Sequence, residues 1–186
     1  MTLIERTLQG RLAPFRPAAH VKRQTTEMTV DPPVTIARPG DASAIAAMSR
    51  DLIEYGLQWR WRTPRVARAI DDPDTNVAVL RRDEELVAFG IMEYLDDEAY
   101  LILFAVAKLS QRQGVGSALL RWLEAAARAA GAQRIRVDTR RENVAARCFY
   151  NEHGYHEWTL EPRMYSKAVD GVRLEKWLRV PVRRDA

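Results

Sequence analysis

The clearest chemical signal in the chain is the stretch Val106-Ala107-Lys108-Leu109-Ser110-Gln111-Arg112-Gln113-Gly114-Val115-Gly116-Ser117. Gly114 and Gly116 leave room for a ligand to lie against the backbone. The apolar residues after them repeat at helical spacing, and the first N–H groups of a helix have no internal acceptor. Donors gathered at the positive end of a helix dipole suit a pyrophosphate. The dipole itself supplies only about 0.3–1 kcal/mol per charge at an exposed end, so aligned N–H donors must provide most of the grip. A Walker A loop requires Lys-Ser/Thr after its last glycine, and Ser117-Ala118 stands there instead. A dinucleotide fingerprint requires Gly or Ala three residues after Gly116, where this chain has Leu119. The structural alternative is a plain glycine-bearing turn between a strand and a helix.

Two further groups have chemistry to offer. Asn143 and Tyr150 are seven residues apart on a predicted helix, nearly two turns, so both project from one face about 10 Å apart along the axis. Read as structure alone they are an N-cap asparagine and a packed tyrosine. Asp138 ends a predicted strand in which Ile135 and Val137 face one side, so Arg136 and Asp138 face the other. A carboxylate in that place can serve as a base or can fix a loop by pairing with an arginine. Cys148, the single cysteine, has no base spaced to activate it and is expected as a buried structural residue. His20, His153 and His156 form no metal-ligand pattern, so no metal is expected.

These groups need a frame. Val34-Thr35-Ile36 predicts a short strand, and Asp41 is a fitting N-cap for a helix Ala42–Tyr55. A tryptophan-bearing loop, Gln58 to Arg62, leads to a second helix from Thr63-Pro64 to about Ile70. An antiparallel meander comes next: Asn76–Arg81, Leu86–Tyr94 and Ala99–Ala107, the last two apolar on both faces and expected to be covered on both sides. After the glycine turn a long helix runs to Gly131, then a strand Gln133–Asp138. A helical crossover joins that strand to Ala99–Ala107, so the two must be parallel. A helix Val144–His153, stopped by Gly154, and strands near Tyr155–Leu160 and Val172–Val180 complete the pattern. The fold class is α/β (α+β): a mixed, twisted sheet of about seven strands with helices on both faces.

Length and charge bound the rest. A chain of 186 residues with 47% apolar content fits one domain, placed at residues 34–180, with a flexible extension at 1–33 and a short tail at 181–186. Met28 is a candidate alternative start. Net charge is +4, and five basic against two acidic residues in 1–27 leave only +1 on the remainder, which argues against a nucleic-acid partner. The longest apolar run, Ala99–Ala107, is far short of the about 20 residues of a membrane span. One cysteine suits a reducing cytoplasm.

The order of these pieces resembles the GNAT superfamily of N-acetyltransferases, and in particular its RimI-like group. Gln111-x-x-Gly114-x-Gly116 resembles the family's acetyl-CoA loop. Asn143-Val144-Ala145-Ala146-Arg147-Cys148-Phe149-Tyr150 and the adjoining Gly154-Tyr155 resemble its second motif, and Leu174-Glu175-Lys176-Trp177-Leu178 its last strand. The resemblance implies an acetyl-CoA-dependent N-acetyltransferase acting on a primary amine by direct attack in a ternary complex. A non-catalytic acyl-CoA-binding module is the alternative. It implies that Phe104, Ala105 and Val106 offer backbone N–H groups to the cofactor arm and thioester. Gln111, Arg112, Gln113, Gly114, Val115, Gly116 and Ser117 would hold the diphosphate, and Asn143 and Tyr150 would complete the cofactor site. Tyr150 is implied as general acid and Asp138 as base, Glu93 being the other candidate base. Trp59 and Trp61 stand where the family shapes its acceptor pocket, although core packing or a subunit contact suits them equally. Tyr165 stands near the acceptor site by the same likeness. Partners are then acetyl-CoA and an amine, with no membrane, in a monomer or homodimer.

Overall fold

A computed structural model describes residues 33–166 and 168–178. Apart from Pro33, the N-terminal extension expected at 1–33 lies outside the described residues, as do the alternative start at Met28 and the tail at 181–186.

The apolar meander builds the centre. β2 (Thr75–Arg82), β3 (Glu85–Tyr94) and β4 (Glu98–Val106) pair antiparallel, with the two-residue β1 (Thr35–Ile36) on the outer edge of β2. The crossover through α3 (Val115–Ala129) returns β5 (Arg134–Arg140) parallel to β4. After α4 (Val144–Glu152), β6 (His156–Ser166) and β7 (Val169–Trp177) form a hairpin, and β7 inserts between β5 and β6. The seven strands therefore lie in the order β1-β2-β3-β4-β5-β7-β6.

Period-2 strands sort their side chains into two cores. On one face Leu119, Leu120, Leu123 and Ala127 of α3 meet Ala88, Leu101, Ile135 and Leu174. On the other, Ile45 and Ala46 of α1 (Ala42–Leu52) and Val66 of α2 (Thr63–Asp71) meet Val77, Val79, Phe89 and Ile91. Gly90 lets α3 sit close on the sheet: a Cβ there would stand 2.6 Å from Leu123 Cδ1.

Two irregularities open the middle of the sheet. The register of β4 on β3 slips between Leu101 and Leu103, leaving Ile102 as an extra residue. Such a bulge exchanges the faces of the strand: Ala99 and Leu101 join the α3 core, whereas Leu103 and Ala105 join the α1/α2 core. β4 then pairs with β5 only over Glu98–Leu101 against Arg134–Val137. Beyond Leu101 the two strands part. Hence β3 is buried throughout Val87–Met92, but β4 alternates buried with half-buried residues and is not covered on both sides as its sequence suggests.

Other departures are local. Asp41 stands at the N-cap position of α1 as expected, but its side chain makes no cap bond there; it closes the preceding 3₁₀ turn, accepting from the Arg38 N–H at 2.6 Å, and pairs with Arg81. α1 ends at Leu52, three residues early. β6 runs six residues past Leu160, through Pro162, because it is an edge strand with a register break at Glu161/Ser166; an edge tolerates a residue that cannot donate.

Gly90→Ala should cost about 1–3 kcal/mol by overpacking, because the new Cβ would overlap the fully buried Leu123 side chain and force it to shift within the core. Urea unfolding at neutral pH checks this; an unchanged midpoint would show that α3 is not held at that distance.

Candidate active site

Where β4 and β5 part, main-chain groups are left over. Ala107 N–H donates to Val87 O on β3 at 2.8 Å. Alternation along a strand then turns the N–H groups of Val106 and Phe104 the other way, toward the side β5 has vacated. Directly after them the chain makes a 3₁₀ turn, Lys108–Ser110, and enters α3 through two left-handed residues, Arg112 (φ 60°) and Gly114 (φ 83°). Such successive turns point consecutive N–H groups into one concavity. The first α3 hydrogen bond runs from Ala118 N to Gly114 O, so the amides of Val115, Gly116 and Ser117 have no partner within the helix. A Cβ on Gly116 would meet the Phe149 ring at 3.3 Å and Val106 at 3.4 Å.

The side chains of this loop mostly hold the loop. Gln111 Nε2 donates to Val106 O at 3.0 Å. Gln113 Nε2 donates to Leu109 O at 2.7 Å, and its Oε1 accepts from Arg82 at 2.9 Å. Val115 is wholly buried in the core. Ser117 Oγ lies 2.9 Å from His153 Nε2, whose Nδ1 lies 2.7 Å from Phe149 O. What Gln113 and Val115 present outward is therefore backbone.

A cleft of about 430 Å³ lies in the gap. Of the residues singled out in the sequence it brings together Phe104, Ala105, Val106, Gln111, Arg112, Gly114, Gly116, Ser117, Asn143 and Tyr150. It adds Leu52, Ala145, Ala146, Phe149 and Glu152. Ala146, three residues after Asn143, lies on its side of α4, whereas Phe149, six residues after it, stands about 120° round the helix and is not signalled by that spacing; Leu52 arrives from α1, and nothing local signals it. Asn143 Oδ1 accepts from Ala146 N at 3.1 Å and so caps α4. Its amide nitrogen remains a donor for the cleft. Phe149 stacks on Phe104 with ring centroids 5.6 Å apart. Tyr150 is buried, and burial pushes its hydroxyl well above the ordinary phenol range, with nearby Tyr165 adding to the shift. Cys148, expected in the interior, is exposed, because α4 turns that position away from the sheet.

Asp138 lies past the point where β5 loses β4. It accepts a short hydrogen bond from the Tyr100 hydroxyl, and Oδ1 stands 3.7 Å from Arg173 Nε. Burial raises its pKa above the ordinary carboxylate value, outweighing the Tyr100 bond and the Arg173 charge that act in the other direction. Tyr165 feels the charge of Asp138 and in turn perturbs Tyr150, so its hydroxyl lies within electrostatic reach of both. Two residues on, Arg140 donates to Ile53 O at 2.8 Å and Tyr55 O at 2.6 Å, and its guanidinium sits 4.3 Å from the centre of the Tyr55 ring. It fastens the α1–α2 loop over this end of the sheet.

Asp138 and Tyr165 do not line the cleft, and neither do the remaining candidates. Glu93 is exposed on β3, opposite Tyr100 across the strand pair. Trp61 is taken into the α1/α2 core, 8% exposed. Trp59 lines a separate cleft beside α2. The Trp loop is held by the buried Glu54, which accepts from Arg60 N at 2.8 Å, Trp61 N at 3.1 Å and Ser49 Oγ at 3.1 Å. Sequence reasoning misses Glu54, since a lone carboxylate in a loop carries no periodic signal. Among the described residues no group of three or more metal-ligating side chains is found, and no helix is long and apolar enough to cross a membrane.

Comparison with known proteins adds three findings. The acetyltransferase (GNAT) family description matches residues 45–155. Among curated relatives, the [ribosomal protein bS18]-alanine N-acetyltransferase of Escherichia coli K12 is 35% identical over 92 residues, covering 50% of this chain and 62% of that protein. The uncharacterized protein YxbD of Bacillus subtilis is 26% identical over 132 residues, covering 68% of this chain and 79% of its own. Among solved structures, the ribosomal-protein-S18-alanine N-acetyltransferase from Escherichia coli superimposes with a TM-score of 0.67 at 23% identity, covering 83% of this chain and 98% of that one. Ard1 from Thermoplasma volcanium gives 0.68 at 20% identity, covering 80% and 98%. At that identity the structures speak to the fold alone.

The raised pKa of Asp138 has a consequence for stability. Between its ordinary value of 3.8 and its folded value, the folded protein binds a proton that the unfolded chain has released. That contribution is complete below the ordinary value and is lost as pH rises through the folded one. Asp138→Asn removes the ionisation, so the variant should be more stable than the native chain at about pH 8, with the advantage vanishing by about pH 4. Urea midpoints across that range decide it; a gap independent of pH would mean that Asp138 ionises without cost.

Proposed function

The chain belongs to the GNAT acetyltransferase family, whose general reaction moves acetyl from acetyl-CoA to an amine, and from that premise we propose that it is a working N-acetyltransferase whose acceptor is a primary amine, reacting by direct attack within a ternary complex. The observation that carries this reading is the convergence, on one cleft, of unpaired amides at the start of α3, the strand edge Phe104–Val106 and the Tyr150 hydroxyl.

The residues fit the cosubstrate. The amides of Val115, Gly116 and Ser117 suit the diphosphate, and the edge of β4 offers strand-like hydrogen bonds to an extended arm. An N–H of that edge aimed at the thioester oxygen stabilises the charge that builds there, a contribution typically of about 10²–10³ in rate. The acceptor enters from the Asp138 side. As its nitrogen bonds to the carbonyl carbon, its proton passes to Asp138; as the C–S bond breaks, the Tyr150 hydroxyl returns a proton to the sulfur. Burial suits both roles: it keeps Tyr150 protonated and makes Asp138 more basic than a free aspartate. Tyr165, whose hydroxyl burial and the Asp138 charge both keep protonated, is the proposed acceptor-side contact. A polypeptide N-terminus is the favoured acceptor class, in keeping with the names of the ribosomal-protein relatives. The cytoplasm is the proposed compartment, supported by a lone unpaired cysteine.

The direct test monitors thiol release from acetyl-CoA with a panel of small amines and peptide N-termini. No release with any of them, while CoA still binds, would make the protein an acyl-CoA-binding module instead. Tyr150→Phe should lower kcat by about 10²-fold or more and leave the CoA dissociation constant by calorimetry unchanged. Equal turnover would remove Tyr150 from the mechanism. Gly114→Val should abolish CoA binding altogether, since a β-branched residue cannot hold φ near 83°.

A further inference from the structure

Several arginines of this protein, Arg81, Arg134, Arg136, Arg147 and Arg173 among them, pair with a carboxylate. The cleft beside α2 is different. It encloses about 480 Å³ and is lined by Trp59 with Arg60, Arg62, Arg65 and Arg68, and no acidic side chain lines it. Among the described residues none of these four guanidiniums takes part in an ion pair. All four are exposed, so water screens their mutual repulsion, and a negatively charged occupant relieves what remains.

The cleft is also built. Arg62 lies 5.5 Å from the centre of the Trp59 ring and Arg50 5.6 Å; Arg65 lies 4.2 Å from that of Trp61. A guanidinium resting on an indole by its face keeps its N–H edge for an oxyanion. The backbone beneath is fixed by Glu54, and Trp59 Nε1 donates to Trp61 O at 3.1 Å. This segment is continuous with the active cleft: Leu52 lines that cleft, Arg140 clamps the carbonyls of Ile53 and Tyr55, and Gln58 already lines the arginine cleft.

We propose that the arginine cleft is a docking subsite for an acidic segment of the acceptor polypeptide, lying downstream of the amine that is acetylated. The proposal rests on the transferase reading. Overall charge favours carboxylates over nucleic acid. The chain beyond residue 27 carries only +1 overall, so the long-range attraction that draws a protein to a phosphate backbone is weak.

The test compares two peptides with the same N-terminal residues, one continuing in Asp and Glu and the other in Ser and Gln, against the full chain with CoA present. Calorimetry should show tighter binding of the acidic peptide. The triple change Arg62→Gln, Arg65→Gln, Arg68→Gln should weaken it about tenfold, since each exposed pair contributes modestly. In acetylation assays KM for the acidic peptide should rise by a similar factor with kcat unchanged, and the neutral peptide should be unaffected. Arg65→Glu with Arg68→Glu should reverse the preference toward a lysine-bearing peptide, an outcome that misfolding cannot imitate. Unaltered affinity for the acidic peptide in the triple variant overturns the proposal. So does a single-stranded RNA oligonucleotide that binds the same residues more tightly. If the native protein acetylates no amine at all, the transferase reading falls, and the calorimetric arm alone decides the cleft.

Discussion

The parting of β4 and β5 is the constraint on which this molecule is built. Two parallel strands joined by a helical crossover would ordinarily pair along their length, and every pairing would satisfy main-chain donors and acceptors. Here they share only Glu98–Leu101 and Arg134–Val137. The extra residue at Ile102 redirects β4 at the point where the pairing ends, and β5 beyond Val137 keeps only β7 as a partner. Edge groups of β4 that would have been spent on β5 are thereby left facing a cleft. The cost of leaving them unpaired in a folded protein is offset elsewhere, by two continuous cores on the two faces of the sheet.

The same parting decides the electrostatics. Residues beyond the fork lie in partial burial without the regular partners of a full sheet. Asp138, just beyond the fork, accepts from the hydroxyl of Tyr100 on the paired stretch of β4, Tyr150 lines the cleft from the core, and Tyr165 belongs to the β6–β7 hairpin. Burial is the leading cause of the shift at Asp138, Tyr100, Tyr150 and Tyr165. Desolvation favours neutral forms, so proton-holding and proton-taking groups collect where the strands diverge. Under the same cover two carbonyls and an aromatic face receive the Arg140 guanidinium.

Much of this is legible in the residues wherever the signal is periodic or the residue type irreplaceable. The meander, the crossover helix and the parallel pairing emerge from apolar spacing, and Gly114 and Gly116 mark the turn. Asn143 and Tyr150 share a face because a helix has a fixed pitch. Expectation and structure diverge where a side chain has a choice of partners. Asp41 has the type of a cap for α1, but Arg38 N–H and Arg81 claim it. Trp61 and Trp59 are two residues apart in one loop, yet one is in the core and the other at a cleft, because Glu54 sets the path of the backbone between them. Cys148 looks like an interior residue by type and is on the solvent side of α4.

From its residues alone this chain determined its strands and helices, their order, the parallel return and the glycine turn that opens α3. These come from short-range physics: steric limits on the backbone, helical and strand periods, and the handedness of crossovers. Tertiary structure alone decided how far β4 and β5 stay together, which polar groups end in low dielectric and with whom, and that Leu52 and Tyr165 meet residues far away in sequence. Burial and pairing belong to the packed whole. A carboxylate in a sequence carries no sign of the tyrosine that will hold it, and an arginine carries no sign that its neighbours will leave it without an acid.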